Sequence, residues 1–180
     1  MAPIATPRLD LVPAALAVLD AELTSRAELA SVLCAEVPED WPPGEYDLSA
    51  IRYFRDHLAA DPDAADWLSW YVMLRPVGSE RPTLVAAAGF FGPPDARGSV
   101  EIGYSVVPAF SGQGFATEIV RTLADHAFAT GRVRRIVAHT TAGNSGSVKV
   151  LDHAGFAFVG PGREAGTVEL VMPCPQREKR

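Results

Sequence analysis

Residues 98–131, GSVEIGYSVVPAFSGQGFATEIVRTLADHAFATG, constrain what this chain can fold into more than any other stretch. The segment opens with alternation: Ile102, Tyr104 and Val106 fall on one face of an extended strand, Glu101, Gly103 and Ser105 on the other. Pro108 has no N–H to give a ladder and ends the strand. The turn that follows holds Gly112 and Gly114, which can take backbone angles closed to other residues. From Ala116 the period lengthens. Ala116, Ile119, Val120, Leu123, Ala124, Ala127 and Phe128 recur at the spacing of one buried helix face, and Gly131 stands where a helix C-terminal glycine is expected.

A strand, a glycine turn and a helix start make an anion site for a physical reason. The first-turn N–H groups of a helix have no intrahelical partner, and the helix dipole adds roughly half a positive charge there. The turn has neither the Gly-Lys-Ser/Thr ending of a nucleotide P-loop nor the three glycines of a dinucleotide fingerprint. On the glycines alone, a tight connection with no ligand is an equal reading.

The rest of the chain reads as one domain over residues 1–180. Arg8-Leu9-Asp10-Leu11-Val12 alternates as an opening strand. Helical spacing follows with Leu16, Leu19 and Leu23, then with Leu29, Val32 and Leu33. The stretch from Glu36 to Gly44 holds three prolines and is irregular. Asp47 reads as the N-cap of a helix carrying Leu48, Ile51, Tyr53, Phe54 and Leu58. Strands are expected from Trp67 to Leu74 and from Thr83 to Phe91, joined as a hairpin through the turn-rich 76–82 stretch. After Gly131 a strand over 133–140 is expected to lie parallel to the organising strand, since a helix separates them. Asn144 to Ser147 leads into a short helix ending at Gly155, and strands from Phe156 and from Thr167 close the sheet.

Nearly half of the 180 residues are apolar, enough for a sizeable core without metal or disulfide help. A net charge of −6 argues against a duplex nucleic-acid partner. Cys34 and Cys174 lie far apart and read as unpaired thiols of a reducing, cytoplasmic protein. The first residues carry no long apolar run, so neither a signal peptide nor a membrane span is expected, and the tail over 176–180 reads as a frayed end.

Glu101-Ile-Gly-Tyr-Ser-Val, Pro108 and Gly112-Gln-Gly-Phe-Ala-Thr-Glu118 together resemble the pyrophosphate motif of the GCN5-related N-acetyltransferases, written Q/R-x-x-G-x-G/A. Gly114 and Ala116 match its last two fixed positions, whereas Ser111 stands where Gln or Arg is usual. Asn144-x-x-Ser147 with Gly155-Phe156 resembles a second segment of the family. Thr6-Pro-Arg-Leu-Asp-Leu and Val37-Pro-Glu-Asp-Trp-Pro resemble starts of its ribosomal-protein N-terminal acetyltransferase branch. The resemblance implies an α/β fold: a mixed, twisted sheet of about six to seven strands flanked by helices and splayed between the strands near 101–107 and 133–140. It implies acetyl-CoA in that opening, held by backbone at Ser105, Val106 and Val107, by the turn Ser111, Gly112, Gln113, Gly114, Phe115, Ala116 and Thr117, and by Asn144, which otherwise caps its helix. No metal is implied.

Acetylating an amine requires removing its proton and supplying a proton or hydrogen bond to the departing thiolate. Glu101 on the cleft strand is the leading candidate base, against a plain strand-end glutamate in water or paired with arginine. His139 on the neighbouring strand is the alternative base, or a structural histidine. Many relatives place a tyrosine acid where this chain has Leu151. Ser147 is the substitute the branch suggests, unless its hydroxyl serves the helix's first turn. Trp41, between prolines, reads as a wall of the acceptor pocket or as a packing anchor. The expected activity is acetyl transfer to a primary amine, either a peptide α-amine or a small molecule; a non-catalytic acyl-CoA sensor is the competing class. The acceptor and the choice between monomer and homodimer stay open at this level.

Overall fold

The structure is a computed structural model that describes residues 2–78 and 80–175. The 176–180 tail lies outside the described residues. Eight strands form one sheet in the order β1-β2-β3-β4-β5-β6-β8-β7. They are β1 (Ile4–Ala5), β2 (Leu9–Pro13), β3 (Ser69–Leu74), β4 (Thr83–Phe90), β5 (Ser99–Val106), β6 (Arg135–Thr141), β7 (Ala157–Pro161) and β8 (Thr167–Pro173). The helices are α1 (Leu16–Thr24), α2 (Arg26–Leu33), α3 (Leu48–Ala60), α4 (Phe115–Ala129) and α5 (Ser145–Ala154). The strand beyond the expected number is β1, whose two residues are too short to show alternation in sequence. The strand expected from Trp67 starts at Ser69, because Asp61 caps a 3-10 segment over Pro62–Trp67 that uses up the first residues. No helix among the described residues is long and apolar enough to cross a membrane.

Each face of the sheet carries its own core. On one side Ile119, Val120, Leu123 and Ala127 of α4 pack with Trp70, Phe90, Val100 and Ile102. On the other, Leu19, Leu29, Ile51, Phe54 and Leu58 of α1 to α3 pack with Tyr71, Met73 and Leu84. Helical spacing overreached at Val32 and Leu48, which are exposed.

The second core contains a carboxylate. Glu22 of α1 is buried and accepts from Trp41 Nε1 at 2.6 Å, Tyr46 Oη at 3.0 Å and Tyr71 Oη at 2.5 Å. Burial pushes its pKa up, and the three hydrogen bonds only partly offset that rise. Burial and the nearby Glu22 also push the Tyr46 phenol up. Trp41 is therefore not the pocket wall read from its flanking prolines. Its ring packs in this core, and its one polar group is committed to Glu22, which ties the irregular loop down.

The sheet opens where expected. β5 runs parallel to β6 only over Ser99↔Arg135, Val100↔Ile136 and Glu101↔Val137. Beyond Glu101, β5 stays paired with β4 as far as Val106, and β6 with β8 as far as Thr141. The two strands therefore diverge with their facing edges unjoined.

Candidate active site

Gly112 and Gly114 hold φ values of +76° and +80°, in the left-handed region, and Gly114 is the N-cap of α4. The Glu118 N–H reaches the Gly114 carbonyl at 3.2 Å, so the N–H groups of Phe115, Ala116 and Thr117 form the open, positive end of the helix. A Cβ on Gly112 would meet nothing within 4 Å, and one on Gly114 only the Arg8 guanidinium at 3.5 Å. The space over the turn is thus free for an anion. Phe115 offers backbone alone, since its ring is buried. The Ser111 N–H is already given to the Pro108 carbonyl at 3.1 Å.

Arg8, which no spacing rule connects to this turn, is the cation of the site. It donates to the Gln113 carbonyl at 2.8 Å, pairs with Glu118 at 2.6 Å and lies 4.4 Å over the Phe115 ring. A positive group from the start of the chain therefore stands beside the turn in which Ser111 lacks one. Burial raises the Glu118 pKa, but hydrogen bonds from Thr6 and Arg8 outweigh it and hold the carboxyl below its ordinary value. The left-handed glycines, the free amides and the arginine suit a diphosphate.

Along the opening, alternate residues of β5 turn their backbone groups to opposite sides. The Glu101 carbonyl and the Val107 N–H both bond toward β4, to Phe91 and Val85. By that alternation Ser105 also faces β4, while Tyr104 and Val106 face the gap. The expected backbone contacts at Ser105 and Val107 are thereby corrected: both turn their backbone groups to β4, and the Val107 N–H is spent and its side chain fully buried. Tyr104 takes their place on the open edge.

Glu101 and His139, read as alternatives, are one hydrogen-bonded pair with Nδ1 and Oε1 2.7 Å apart. On the other side of the ring, Nε2 lies 3.2 Å from Glu169 Oε2. Glu169 is cross-strand from His139 in the β6–β8 ladder, so hairpin register alone would have revealed it. The exposed Arg163 approaches Glu101 Oε2 at 3.5 Å. An imidazolium between these carboxylates donates to both, whereas a neutral ring donates to one. The arrangement can accept a proton at Glu101 and pass it outward along His139.

Asn144 caps α5, its side-chain oxygen accepting the Ser147 N–H at 3.0 Å, and its amide N–H groups remain to donate to a ligand. The Ser147 hydroxyl has no capping duty and lies 2.9 Å from Tyr104 Oη. Burial raises the Tyr104 pKa, against a smaller opposing effect of Ser147, so the phenol keeps its proton. Leu151 is buried in the core, as its apolar character requires. A tyrosine hydroxyl from β5 therefore stands beside Ser147, on a helix that has no tyrosine of its own.

A cavity of about 90 Å³ lies under α3 on the Glu101 face of β5, lined by Tyr46, Phe54, Ser69, Phe91 and Gly103 among others, with Glu45 also lining it. A Cβ at Gly103 would lie 2.9 Å from the half-exposed Phe91 ring, which would have to shift to admit it.

Residues 8–157 match the acetyltransferase (GNAT) domain family. The chain is 30% identical over 151 residues to the uncharacterized N-acetyltransferase YjdG of Bacillus subtilis (strain 168), covering 84% of this chain and 87% of that one. Among solved structures it resembles RimL, a ribosomal L7/L12 α-N-protein acetyltransferase in complex with coenzyme A, with a TM-score of 0.69, 17% identity and 95% and 97% of the two chains covered. The ribosomal-protein-S5-alanine acetyltransferase of Vibrio fischeri superposes with a TM-score of 0.67 at 16% identity over 98% of each chain.

Proposed function

The chain belongs to the GNAT acetyltransferase family, and from that premise we propose that it transfers the acetyl group of acetyl-CoA to the α-amine of a peptide or protein. Acetyl-CoA supplies the activated acetyl thioester. The turn amides of Phe115 to Thr117, with Arg8 beside them, hold its diphosphate, and the gap-facing groups of Tyr104 and Val106 meet its amide-bearing arm. The peptide acceptor rests on the neighbours named for ribosomal-protein acetylation.

The observation that carries the reading is the Glu101–His139–Glu169 chain, which sits where β5 and β6 part. Glu101 takes the proton an ammonium must lose, and His139 relays it toward Glu169 and solvent. Across the opening, the Ser147 hydroxyl, backed by the Tyr104 phenol, is the proton-bearing group for a departing sulfur.

Thiol release from acetyl-CoA, measured with short peptides and with small amines, tests the reading. Peptide-dependent release is expected. Coenzyme A binding without amine-dependent release of thiol would overturn it in favour of a sensor.

A further inference from the structure

Phe91 follows the last paired residue of β4. With Phe90 opposite Ile102, Phe91 falls opposite Glu101, and its N–H donates to the Glu101 carbonyl at 3.1 Å. Its ring turns to the Glu101 face of β5, since a Cβ on Gly103 would lie 2.9 Å from it. Phe54 of α3 stacks against the ring with 6.1 Å between centroids, and the Tyr53 hydroxyl donates to the Phe91 carbonyl at 2.8 Å. Although α3 holds it in this way, Phe91 is 48% exposed. A large apolar group fixed half open beside a carboxylate leaves surface for an apolar guest to cover. We propose that Phe91 is the specificity-determining residue for the acceptor: its ring walls the cavity beside Gly103 and limits the α-substituent of the incoming amine to an aliphatic side chain no larger than leucine or methionine. The proposal rests on the amine-acetyltransferase reading above and deepens it.

The order of groups along β5 supports it. Glu101, Gly103 and Ser105 share one face of the strand, each about 7 Å from the next. Glu101 meets the amine. Gly103, lacking a side chain, lets the Phe91 ring lie close over the strand. At Ser105 the 36–46 loop closes the far end, where a Cβ on Gly44 would lie 3.4 Å from Ser105 Oγ. The α-substituent of an amine at Glu101 therefore passes the Phe91 ring on its way into the cavity.

Size and chemistry narrow the guest. About 90 Å³ is room for roughly six heavy atoms, given ~15 Å³ for each water-sized group. A leucine or methionine side chain has fewer than that, and a phenylalanine or tryptophan side chain more. Ala50, Phe54, Ala87 and Phe91 supply apolar walls, which suit an aliphatic stem. Phe54 is buried in the α1–α3 core, so of the two stacked rings it is Phe91 that borders both the cavity and solvent. Backed by Phe54 and fixed at its carbonyl by Tyr53, the ring resists being pushed aside, and forcing surplus atoms against such a wall is unfavourable. An apolar pocket discriminates by size, each methylene being worth about 10–200-fold.

The test uses the amides of alanine, leucine, phenylalanine and tryptophan as minimal N-termini. Acetylation kcat/KM is measured for each at saturating acetyl-CoA, and binding of the same amides by calorimetry on protein saturated with coenzyme A. The wild-type protein should favour leucine over phenylalanine by about tenfold or more. Phe91→Ala should bring that ratio to within about twofold or reverse it, with the rate for alanine changed by less than about threefold. Phe91→Trp should act in the opposite sense, lowering leucine about fivefold or more relative to alanine, and it carries the test alone if Phe91→Ala fails to fold. No preference for leucine over phenylalanine in the wild type overturns the assignment. So does a variant that scales every amide by one factor, which is what a merely structural role would give. Should no amide be acetylated, the fault lies with the acetyltransferase reading, and the calorimetric ratios still decide the wall. A leucine preference lost in Phe91→Ala or sharpened in Phe91→Trp supports it; ratios unmoved by either variant, or no binding of any amide, overturn it.

Discussion

Replacing Glu22 by leucine strands the donors that converge on it. Trp41 Nε1, Tyr46 Oη and Tyr71 Oη all point at this carboxylate inside the α1–α3 core. Tyr46 and Tyr71 share one oxygen, Oε2, so after the change one can turn to the other, leaving two groups unpaired. Each costs about 1–3 kcal/mol. Against this, the leucine gains about 2 kcal/mol of burial, and the desolvated acid is gone. The net loss is therefore about 2 kcal/mol at pH 7 and at most about 4, a fall of about 1 M in urea midpoint for a slope near 2 kcal/mol per M. A loss below about 0.5 kcal/mol, with unchanged slope, would refute the view that Glu22 holds the 36–46 loop in place.

Glu22→Gln keeps an acceptor for Trp41 and removes the titration. Because the folded-state pKa is raised, the folded protein binds this proton more tightly than the unfolded chain does. The associated stability is fully present below the unfolded value of about 4.5 and declines as pH rises through the folded value. Wild-type stability minus that of Glu22→Gln should therefore fall as pH rises above about 4.5; a flat difference from pH 4 to 8 would contradict the assigned direction.

At the site, Glu101→Gln should lower turnover by roughly 10²–10⁴ with coenzyme A affinity little changed, as steady-state kinetics and calorimetry will read. Ser147→Ala should cost about tenfold in rate, or roughly 1.4 kcal/mol of barrier, with the melting temperature intact because Asn144 is the cap; a lowered melting point at full rate would return Ser147 to a structural role. Gly114→Val places a branched side chain at φ +80° over the turn, and calorimetry should show coenzyme A affinity lost in protein that still folds.

The strand, turn and helix over 98–131 were legible because each has a local cause: alternation, glycine and the helical period. The gap between β5 and β6 came from the family resemblance, as periodicity does not report where two strands part. What the sequence hid was long-range. Arg8 reaches the Gln113 carbonyl from far along the chain, and Glu22 meets donors from a loop and from β3. Whether Glu101 and His139 compete or cooperate depends on the β5–β6 register, which sets them side by side. Trp41 was left between pocket wall and packing anchor for a related reason: flanking prolines indicate a rigid loop, but not which way its indole turns.

The parting of β5 from β6 gives a central strand the exposed backbone of an outermost one. Rims of that kind invite another chain to add on, and proteins ordinarily cover or charge them. Here the unjoined rim faces β6 across the opening, so only something slender can satisfy it. Amide protons should record this as a two-residue beat along a single strand. Gly103 and Ser105, turned to β4, should exchange slowly with deuterated water, while Tyr104 and Val106 exchange fast. Coenzyme A should slow the fast pair and leave the slow pair unmoved; uniform protection along β5 in the free protein would mean that the opening closes on itself in solution.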